Sequence, residues 1–352
     1  TSYVTSGSFG KIVATTLSGD GRGLTNSKLA SYISSSAQIA SDISGSFLEG
    51  FDDLAGEVGV ASAVWSAGGA LITSTYYNEG TGGSTAALNA GGGSTRCTEE
   101  YNGSSWTAGG ALIVGRDANN GMAGTQNAAL LAAGTYPHQS ITELYNGTAW
   151  SEVNNLIVAR RYNQGAGSQN AALTFGGEMA PTLANVKRVT EAFDGTVWST
   201  AGDMGNQRES FAGDGTQNAA WATGAYPGSN ITEHYDGTTW SAGGTLNVAR
   251  YADNGAGTQN AAVIFGGTPI TGKTEEYNGS TWTVSSDMAC ARYALGGAGS
   301  QAAALAFGGR LNPGANVTCT EEYTSYTPKV ELTVGHINTT SASIDGVSGY
   351  TT

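Results

Sequence analysis

The sequence predicts an all-β protein whose central part is a six-bladed β-propeller. Fifty-four of the 352 residues are glycine and only 12% are charged, a composition typical of tight β repeats rather than of a helical enzyme. Six of the seven tryptophans lie 41 to 48 residues apart, and this period indicates a propeller or a solenoid. Asn-Gly or Asp-Gly stands shortly before five of them, which is the strongest short signal for a β-hairpin. The six are Trp65, Trp106, Trp150, Trp198, Trp240 and Trp282.

Each repeat unit offers four short strands, which we name A to D in chain order. An arginine stands ten residues after five of the tryptophans, and the first unit has Thr75 at this place. A Gly-rich strand A follows, then a polar turn such as GTQN (257–260), then an apolar strand B that ends in glycine. Strand C has the pattern Thr-Glu-x-Tyr/Phe, and strand D carries the next tryptophan. Four strands in 40 to 50 residues describe one blade of a propeller.

The strand count predicts how the ring closes. Trp65 lies on a strand D that has no strands A, B and C before it, whereas Tyr323 ends a strand C with no Trp-bearing strand D after it. We therefore expect the first strand D to complete the last blade, which makes a closed ring without free edges. The propeller is assigned to residues 61–329.

The order of these landmarks resembles the kelch repeat. The shared features are Gly-Gly after strand B, Tyr before a turn, Trp a few residues later, and then Arg. The resemblance covers roughly residues 61–326 and implies a kelch-like propeller.

A glutamate stands two residues before the aromatic end of every strand C, so the two side chains share a face. The residue between them varies, as expected for a more exposed face. A carboxylate on an apolar face needs a charged or hydrogen-bonding partner, and the repeated arginine is the obvious one. We expect a structural ring of ion pairs in which one glutamate lacks an arginine, because Thr75 replaces it. A six-carboxylate metal site in the channel would need these glutamates on strand A. The ring residues are Glu99, Glu143, Glu191, Glu233, Glu275, Glu321, Arg116, Arg160, Arg208, Arg250 and Arg292.

A binding surface is expected on the variable loops. In a propeller the B–C and D–A loops lie on one face, and here the B–C loops differ in length and chemistry. Loop diversity on a rigid scaffold is where binding usually resides. The alternative is that these are ordinary variable surface loops. The candidates are Tyr136, His138 and Tyr226 for stacking on a sugar ring, and Lys187, Arg188 and Arg310 for contacting an anion.

Composition and motifs argue against catalysis, a cofactor, a metal and nucleic-acid binding. The net charge is −13 and no Lys/Arg cluster is present, whereas a phosphate backbone needs one. The three histidines are scattered, and no GxSxG, HExxH or Walker motif occurs. Cys97, Cys290 and Cys319 cannot make a disulfide framework and show no CxxC spacing. No run of 18 apolar residues occurs, so no membrane insertion is expected.

Two arms flank the repeats. Residues 1–60 lack the repeat, and 36–45 read as a Ser-capped amphipathic helix that Gly45 ends. This arm cannot build its own core, so we expect it to pack on the repeats or on a partner chain. Residues 330–352 alternate in a β-prone pattern and are expected to form strands outside the ring or an arm that adds to a neighbour.

The N-terminal segments GSFGKIVATTLSGDGRGLTN and SSSAQIASDISGSF, with repeats of the GTQNAALxFGG…TEEYNGTxW kind, resemble virion structural and tail-fibre proteins of marine tailed phages, cyanophages especially. The resemblance implies a homo-oligomeric tail fibre, appendage or decoration subunit on the virion surface. It would bind other virion proteins through residues 1–60 and 330–352 and display the propeller to a host-surface glycan or protein. A secreted or cell-surface carbohydrate-binding adhesin is the alternative. A propeller enzyme of the galactose-oxidase type is the third, and the lack of a Tyr/His metal constellation argues against it.

Overall fold

The computed structural model divides into two units, of which Ala63–Ser325 is one, and two short strands are described in the other. The described residues contain β-strands and turns without a helix, and hence no helix long and apolar enough to cross a membrane. The helix expected at 36–45 lies outside them. The described residues are 28–32, 63–117, 121–134, 138–179, 188–312, 314–325 and 329–333.

The strand bounds follow the repeat landmarks. The first fourteen strands are β1 (Lys28–Tyr32), β2 (Val64–Ala67), β3 (Glu79–Gly83), β4 (Ala86–Ala90), β5 (Thr98–Tyr101), β6 (Trp106–Ala108), β7 (Gly121–Thr125), β8 (Ala128–Ala132), β9 (Thr142–Tyr145), β10 (Trp150–Val153), β11 (Arg160–Arg161), β12 (Gln164–Ser168), β13 (Ala171–Phe175) and β14 (Glu178–Met179). The others are β15 (Thr190–Phe193), β16 (Trp198–Thr200), β17 (Ala212–Thr216), β18 (Ala219–Thr223), β19 (Thr232–Tyr235), β20 (Trp240–Ala242), β21 (Asn254–Thr258), β22 (Ala261–Phe265), β23 (Thr274–Tyr277), β24 (Trp282–Val284), β25 (Gly296–Gly299), β26 (Ala303–Phe307), β27 (Thr320–Thr324) and β28 (Lys329–Thr333).

Six four-stranded antiparallel sheets form the blades, which confirms the predicted six-bladed all-β propeller. The strands A of successive blades lie side by side around the ring, and β25 of blade 6 lies against β3 of blade 1. The short strands β11 and β14 pair with each other beside blade 3. In the order A, B, C, D, the blades are β3-β4-β5-β6, β7-β8-β9-β10, β12-β13-β15-β16, β17-β18-β19-β20, β21-β22-β23-β24 and β25-β26-β27-β2.

Blade 6 joins the two ends of the repeat region. Its outer strand β2 pairs with β27, so that Trp65 lies opposite Tyr323 and Val64 opposite Thr324. The chain therefore enters and leaves the propeller on adjacent strands. In the other unit, β1 from the N-terminal arm pairs antiparallel with β28 from the C-terminal arm.

The Asn-Gly and Asp-Gly dipeptides form the C–D turns for a local reason. Asn278 Oδ1 accepts the backbone N–H groups of Ser280 and Thr281 at 3.0 and 2.9 Å. Gly279 follows with a φ of +92°, a conformation that glycine adopts without steric cost.

The core lies between neighbouring blades. At the junction of blades 6 and 1, for example, Tyr101, Trp106, Leu305 and Phe307 pack together with small alanines. Each strand D tryptophan donates its indole N–H to a strand C threonine of the preceding blade at 2.9 to 3.0 Å. These pairs are Trp65–Thr274, Trp106–Thr320, Trp150–Thr98, Trp198–Thr142, Trp240–Thr190 and Trp282–Thr232.

The glutamine of the A–B turn is a second connection between blades. Gln259 Nε2, in blade 5, donates to the backbone carbonyls of Ala220 and Tyr235 in blade 4, at 3.1 and 2.9 Å. Gln126, Gln169, Gln217 and Gln301 make the same two contacts at their own junctions. Blade 1 has Ser84 at this place. The recurrent GTQN motif is therefore a structural feature of the ring.

Candidate functional site

Five glutamate–arginine pairs lie inside the blades. Each arginine precedes strand A and reaches the strand C glutamate of the same blade; the Arg208–Glu233 pair, for example, has a nitrogen–oxygen distance of 2.9 Å. Every one of the arginines is buried. The pairs are Arg116–Glu143, Arg160–Glu191, Arg208–Glu233, Arg250–Glu275 and Arg292–Glu321.

The ion pairs fasten the D–A segment to its blade. Glu143 also accepts the backbone N–H of Ile113 at 2.8 Å, and Arg116 Nη1 donates to the carbonyls of Ala133 and Ile141 at 3.0 and 2.8 Å. Burial lowers the pKa of the Arg116 guanidinium, and the charge of Glu143 opposes this shift. These groups are enclosed and engaged with protein atoms, so they have a structural role and offer a ligand no free surface.

Blade 1 lacks this ion pair. The Thr75 hydroxyl donates to the carbonyl of Gly91 at 3.3 Å, and Glu99 accepts the backbone N–H groups of Ile72 and Thr73 at 2.8 and 3.0 Å. Within the described ranges no cation is paired with Glu99, although the residue is buried. Glu99 lines a cavity of about 290 Å³, and Arg96 is another residue of its lining.

The residue between Glu and Tyr on strand C differs in type from blade to blade, but in three blades it is a glutamate that forms a hydrogen bond to the neighbouring blade. Glu100 accepts the hydroxyl of Tyr145 from the next blade at 2.5 Å, and Glu276 accepts that of Tyr323 at 2.6 Å. Glu322 accepts the hydroxyl of Tyr101 across the closure of the ring. This middle position is the more exposed one on every strand C, as expected, since it is half-buried between two buried residues. At these three positions the carboxylate also meets the tyrosine of the neighbouring blade.

A series of hydrogen-bonded backbone positions from five blades, which we call the backbone ring, runs around the axis on the face of the D–A and B–C loops. The N–H of Tyr77 donates to the Ala294 carbonyl, Ala294 to Ala252, and Ala252 to Ser210, each at 2.8 Å, and Ser210 donates to Tyr162 at 3.1 Å. These equivalent residues of five blades all have φ between 51° and 59°. Non-glycine residues adopt this conformation only where the surroundings impose it, so the ring is a built feature of the fold.

The backbone ring gathers tyrosines at the axis. Tyr77 and Tyr162 belong to the ring itself, and their side chains meet edge to face at 5.4 Å between ring centroids. Tyr76, Tyr251 and Tyr293 are the residues just before ring positions, and Tyr76 packs against Tyr77 at 5.5 Å. Tyr226, from the B–C loop of blade 4, meets Tyr251 at 5.1 Å and is 55% exposed. We call these six residues the tyrosine cluster.

Charged side chains stand among these tyrosines. The guanidinium of Arg310 lies over the ring of Tyr76, 4.3 Å from its centroid, and that of Arg161 lies 4.9 Å from the centroid of Tyr162. Arg161 is also paired with Glu178 at 2.8 Å. Burial and the neighbouring tyrosines raise the pKa of Tyr77, so its hydroxyl stays protonated at any physiological pH. The surface therefore combines aromatic faces, hydroxyl groups and cations.

Three of the six predicted loop residues belong to this surface or border it. Tyr226 is a member of the tyrosine cluster, and Arg310 lies over its Tyr76. His138 lies near Arg161 and Glu178, and burial, with the charge of Arg161, lowers its pKa. Arg188 is exposed and donates instead to the Gly205 carbonyl at 3.4 Å, in the segment before blade 4. Tyr136 and Lys187 lie outside the described residues.

Sequence reasoning missed most of the tyrosine cluster. Tyr76, Tyr77, Tyr162, Tyr251 and Tyr293 were all overlooked, although a signal exists. Tyrosine stands one or two residues after the anchor position of the ion pair, as in TYY (75–77), RRY (160–162) and RY (250–251 and 292–293). The D–A loops thus contribute more of the aromatic surface than the B–C loops do.

The channel enclosed by the strands A is a second candidate site. It contains a cavity of about 250 Å³, whose lining includes Glu79, Gln164, Asp214 and Asn254. No group of three or more His, Cys, Asp and Glu residues that could hold a metal ion is found in the described part of the chain.

Comparison with known proteins supports the fold and leaves the function open. No protein-family model matches the chain, and no curated protein matches it. Among solved structures, that of YjhT is similar, with a TM-score of 0.62 and 13% sequence identity, over 76% of this chain and 99% of YjhT. At this identity the likeness shows the propeller architecture alone.

Proposed function

We propose that this chain is a structural protein of a phage virion whose kelch-like propeller binds a host-surface glycan through the tyrosine cluster. The observation that carries the binding role is this cluster of six tyrosines, gathered at the axis on the loop face with Arg161 and Arg310 beside it. The virion role rests on the resemblance of the repeats and of the N-terminal segments.

The chemistry of the cluster suits a sugar. Tyrosine offers an apolar ring face for the C–H face of a pyranose and a hydroxyl for its polar edge. Glu178 and Arg161 stand beside the rings and can accept and donate hydrogen bonds to sugar hydroxyls. Arg310 adds a cation over the ring of Tyr76, where it favours a sugar that carries a carboxylate. Binding of this kind needs no catalytic group, in keeping with a non-enzymatic role.

The positions at which the chain enters and leaves the propeller suit a domain that two arms attach to a larger particle. The chain enters blade 6 at Val64 and leaves it at Thr324, which lie opposite each other. The two arms therefore start at one place on the propeller, and their strands β1 and β28 pair with each other. In the proposed role residues 1–60 and 330–352 bind other virion proteins and hold the subunit on the particle surface, where the protein forms a homo-oligomer.

A glycan array tests the binding role. The full chain is expected to bind a restricted set of glycans, and the double variant Tyr251→Ala/Tyr293→Ala is expected to lose this binding while its melting temperature is retained. Val284→Ala is the matched control, since Val284 is exposed on the outer strand β24 and belongs to no cluster. Absence of any glycan bound by the full chain, or unchanged binding by the double variant, would refute the assigned surface.

Fractionation tests the virion role separately. The protein is expected to co-purify with intact phage particles through a density gradient. Its appearance instead in the secreted or cell-surface fraction, with the same glycan specificity, would establish the adhesin alternative, which the tyrosine cluster supports equally well.

A further inference from the structure

We propose that the central channel holds a calcium ion between the carboxylates of Glu79 and Asp214. This site is separate from the tyrosine cluster and does not depend on the proposed function. It would be a stabilising ion inside the ring, bound by oxygen ligands from the innermost strands.

The channel has the size and composition that such an ion needs. Its cavity of about 250 Å³ is lined by residues of strand A from all six blades. Glycines predominate in this lining and leave backbone groups accessible. Two carboxylates belong to the described lining residues, and none of those residues is Lys, Arg or His. The channel therefore carries acidic groups without a neutralising protein cation beside them.

Glu79 has an unsatisfied oxygen inside this cavity. The residue is 3% exposed, and its Oε1 accepts the side-chain amide of Asn254 at 3.1 Å. Its Oε2 is buried and has no hydrogen-bond partner within the described residues. A buried carboxylate oxygen without a partner is costly, so this atom is available to a ligand in the channel.

A glycine of blade 6 leaves the space in which the side chain of Asn254 reaches Glu79. Asn254 belongs to blade 5 and Glu79 to blade 1, with blade 6 between them. A Cβ placed on Gly297 of blade 6 would lie only 2.7 Å from Asn254 Oδ1. The side-chain amide can therefore reach Glu79 only because the strand between them lacks side chains at this point.

Asp214 is the second carboxylate of the site. It occupies the third position of its strand A, where the other blades have threonine or alanine, so the acid is specific to blade 4. Its Oδ2 accepts the backbone N–H of Gly257 at 2.9 Å. Asp214 lines the same cavity as Glu79, and its charge is the smallest of the causes that shift the pKa of Glu79.

Burial keeps both carboxylates partly protonated in the absence of a cation. It raises the pKa of Glu79 to about 8 and that of Asp214 to about 7. A divalent cation would displace these protons and supply the missing partner of Glu79 Oε2. The cation would then neutralise the negative charges of the two carboxylates, which burial in the channel disfavours.

The remaining oxygen ligands favour calcium over magnesium. Calcium accepts about six to eight oxygens from carboxylates, amides, carbonyls and water in a flexible geometry, whereas magnesium demands a tight octahedron. Gln164 and Thr81 also line the cavity and offer neutral side-chain oxygens, and the open volume accommodates water. A cavity built by six different strands with only two acids suits the more permissive ion.

Calorimetric titration of the EDTA-treated full chain with calcium chloride tests the proposal. We expect one site, and we expect proton release on binding, seen as a dependence of the heat on the ionisation enthalpy of the buffer. The melting temperature is expected to rise with calcium. Glu79→Gln and Asp214→Asn should each lower the affinity by about tenfold or more, because each removes one of two anionic ligands.

The control variant is Glu152→Gln, whose residue is exposed on the outer strand β10 and should leave the calcium response unchanged. Glutamine and asparagine preserve the shape of the replaced side chains, so both channel variants are expected to fold. Absence of heat and of a melting shift with millimolar calcium would overturn the proposal, as would unchanged affinity in Glu79→Gln. An equal response to magnesium chloride would overturn the assignment to calcium.

Discussion

The indole Nε1 of Trp106 lies 2.9 Å from the hydroxyl oxygen of Thr320, although 214 residues separate the two in sequence. The equivalent bond between blades 4 and 5, from Trp282 to Thr232, has the same length across a separation of 50 residues. The junction at which the ring closes therefore has the same geometry as a junction between consecutive blades.

Thr320→Val removes the acceptor of this bond and leaves a buried indole N–H unsatisfied. We expect the free energy of unfolding to fall by about 1–3 kcal/mol, the cost of an unsatisfied buried donor. Guanidinium chloride denaturation measures it. Thr107→Val is the control, since Thr107 is exposed on the neighbouring strand β6. Equal stability of the two variants would mean that the bond does not contribute to closing the ring.

Arg160→Met tests the buried ion pairs. The substitution leaves the fully buried carboxylate of Glu191 without its cationic partner. Because removing one partner of a buried ion pair costs about 3–5 kcal/mol, we expect the free energy of unfolding to fall by that amount. Lys273→Met, which breaks the half-exposed pair with Asp287, should cost no more than about 1 kcal/mol. Both values follow from denaturation curves, and similar costs for the two variants would contradict a structural role of the buried pairs.

Glu99→Gln and Glu191→Gln test the difference between blade 1 and the other blades. In Glu191→Gln the Arg160 guanidinium loses its anionic partner, so we expect a loss of about 3–5 kcal/mol. Glu99 accepts two backbone N–H bonds and has no cation paired with it in the described residues, so Glu99→Gln should cost about 1–2 kcal/mol. The two free energies of unfolding are compared in one buffer, and the reverse order would show that Glu99 has a strong cationic partner.

Stability of the metal-free protein should fall as the pH rises from about 4 to about 8. Burial raises the pKa of Glu79 to about 8 and that of Asp214 to about 7, above the ordinary values of 4.5 and 3.8. In this window the folded state binds more protons than the unfolded state, so the free energy of unfolding decreases with pH.

Denaturation curves in EDTA across this pH range measure the effect. The double variant Glu79→Gln/Asp214→Asn cannot titrate at these positions, so its stability should change less with pH than that of the Glu152→Gln control. If the double variant and the control showed identical pH profiles, the channel carboxylates would not be the groups responsible.

Much of the fold could be predicted because its signals are local. The Asn278-Gly279 turn forms through hydrogen bonds over two or three residues, and the same dipeptide type recurs in five units. The pairing of Arg250 with Glu275 follows from chemistry, because a buried carboxylate on strand C requires a cation and one candidate recurs at a constant phase.

The candidate sites depended on contacts between blades that strand periodicity does not encode. Tyr77 and Tyr162 meet although they belong to blades that are not consecutive, because the backbone ring brings these positions to the axis. Glu79 and Asn254 likewise meet across the channel, from blades 1 and 5. Strand periodicity predicts which face of a strand is buried, but it gives no distance between strands of different sheets.

The sequence by itself determined the number of blades, the four strands of each and the residue types that recur between them, since these depend on turn chemistry and on alternation along a strand. Only the tertiary structure decided which residues meet at the axis. Six strands A converge there, and the separation of their side chains depends on the radius of the closed ring and on the glycines that allow close approach. Closure places the tyrosine cluster on one face and encloses Glu79 and Asp214 in the channel.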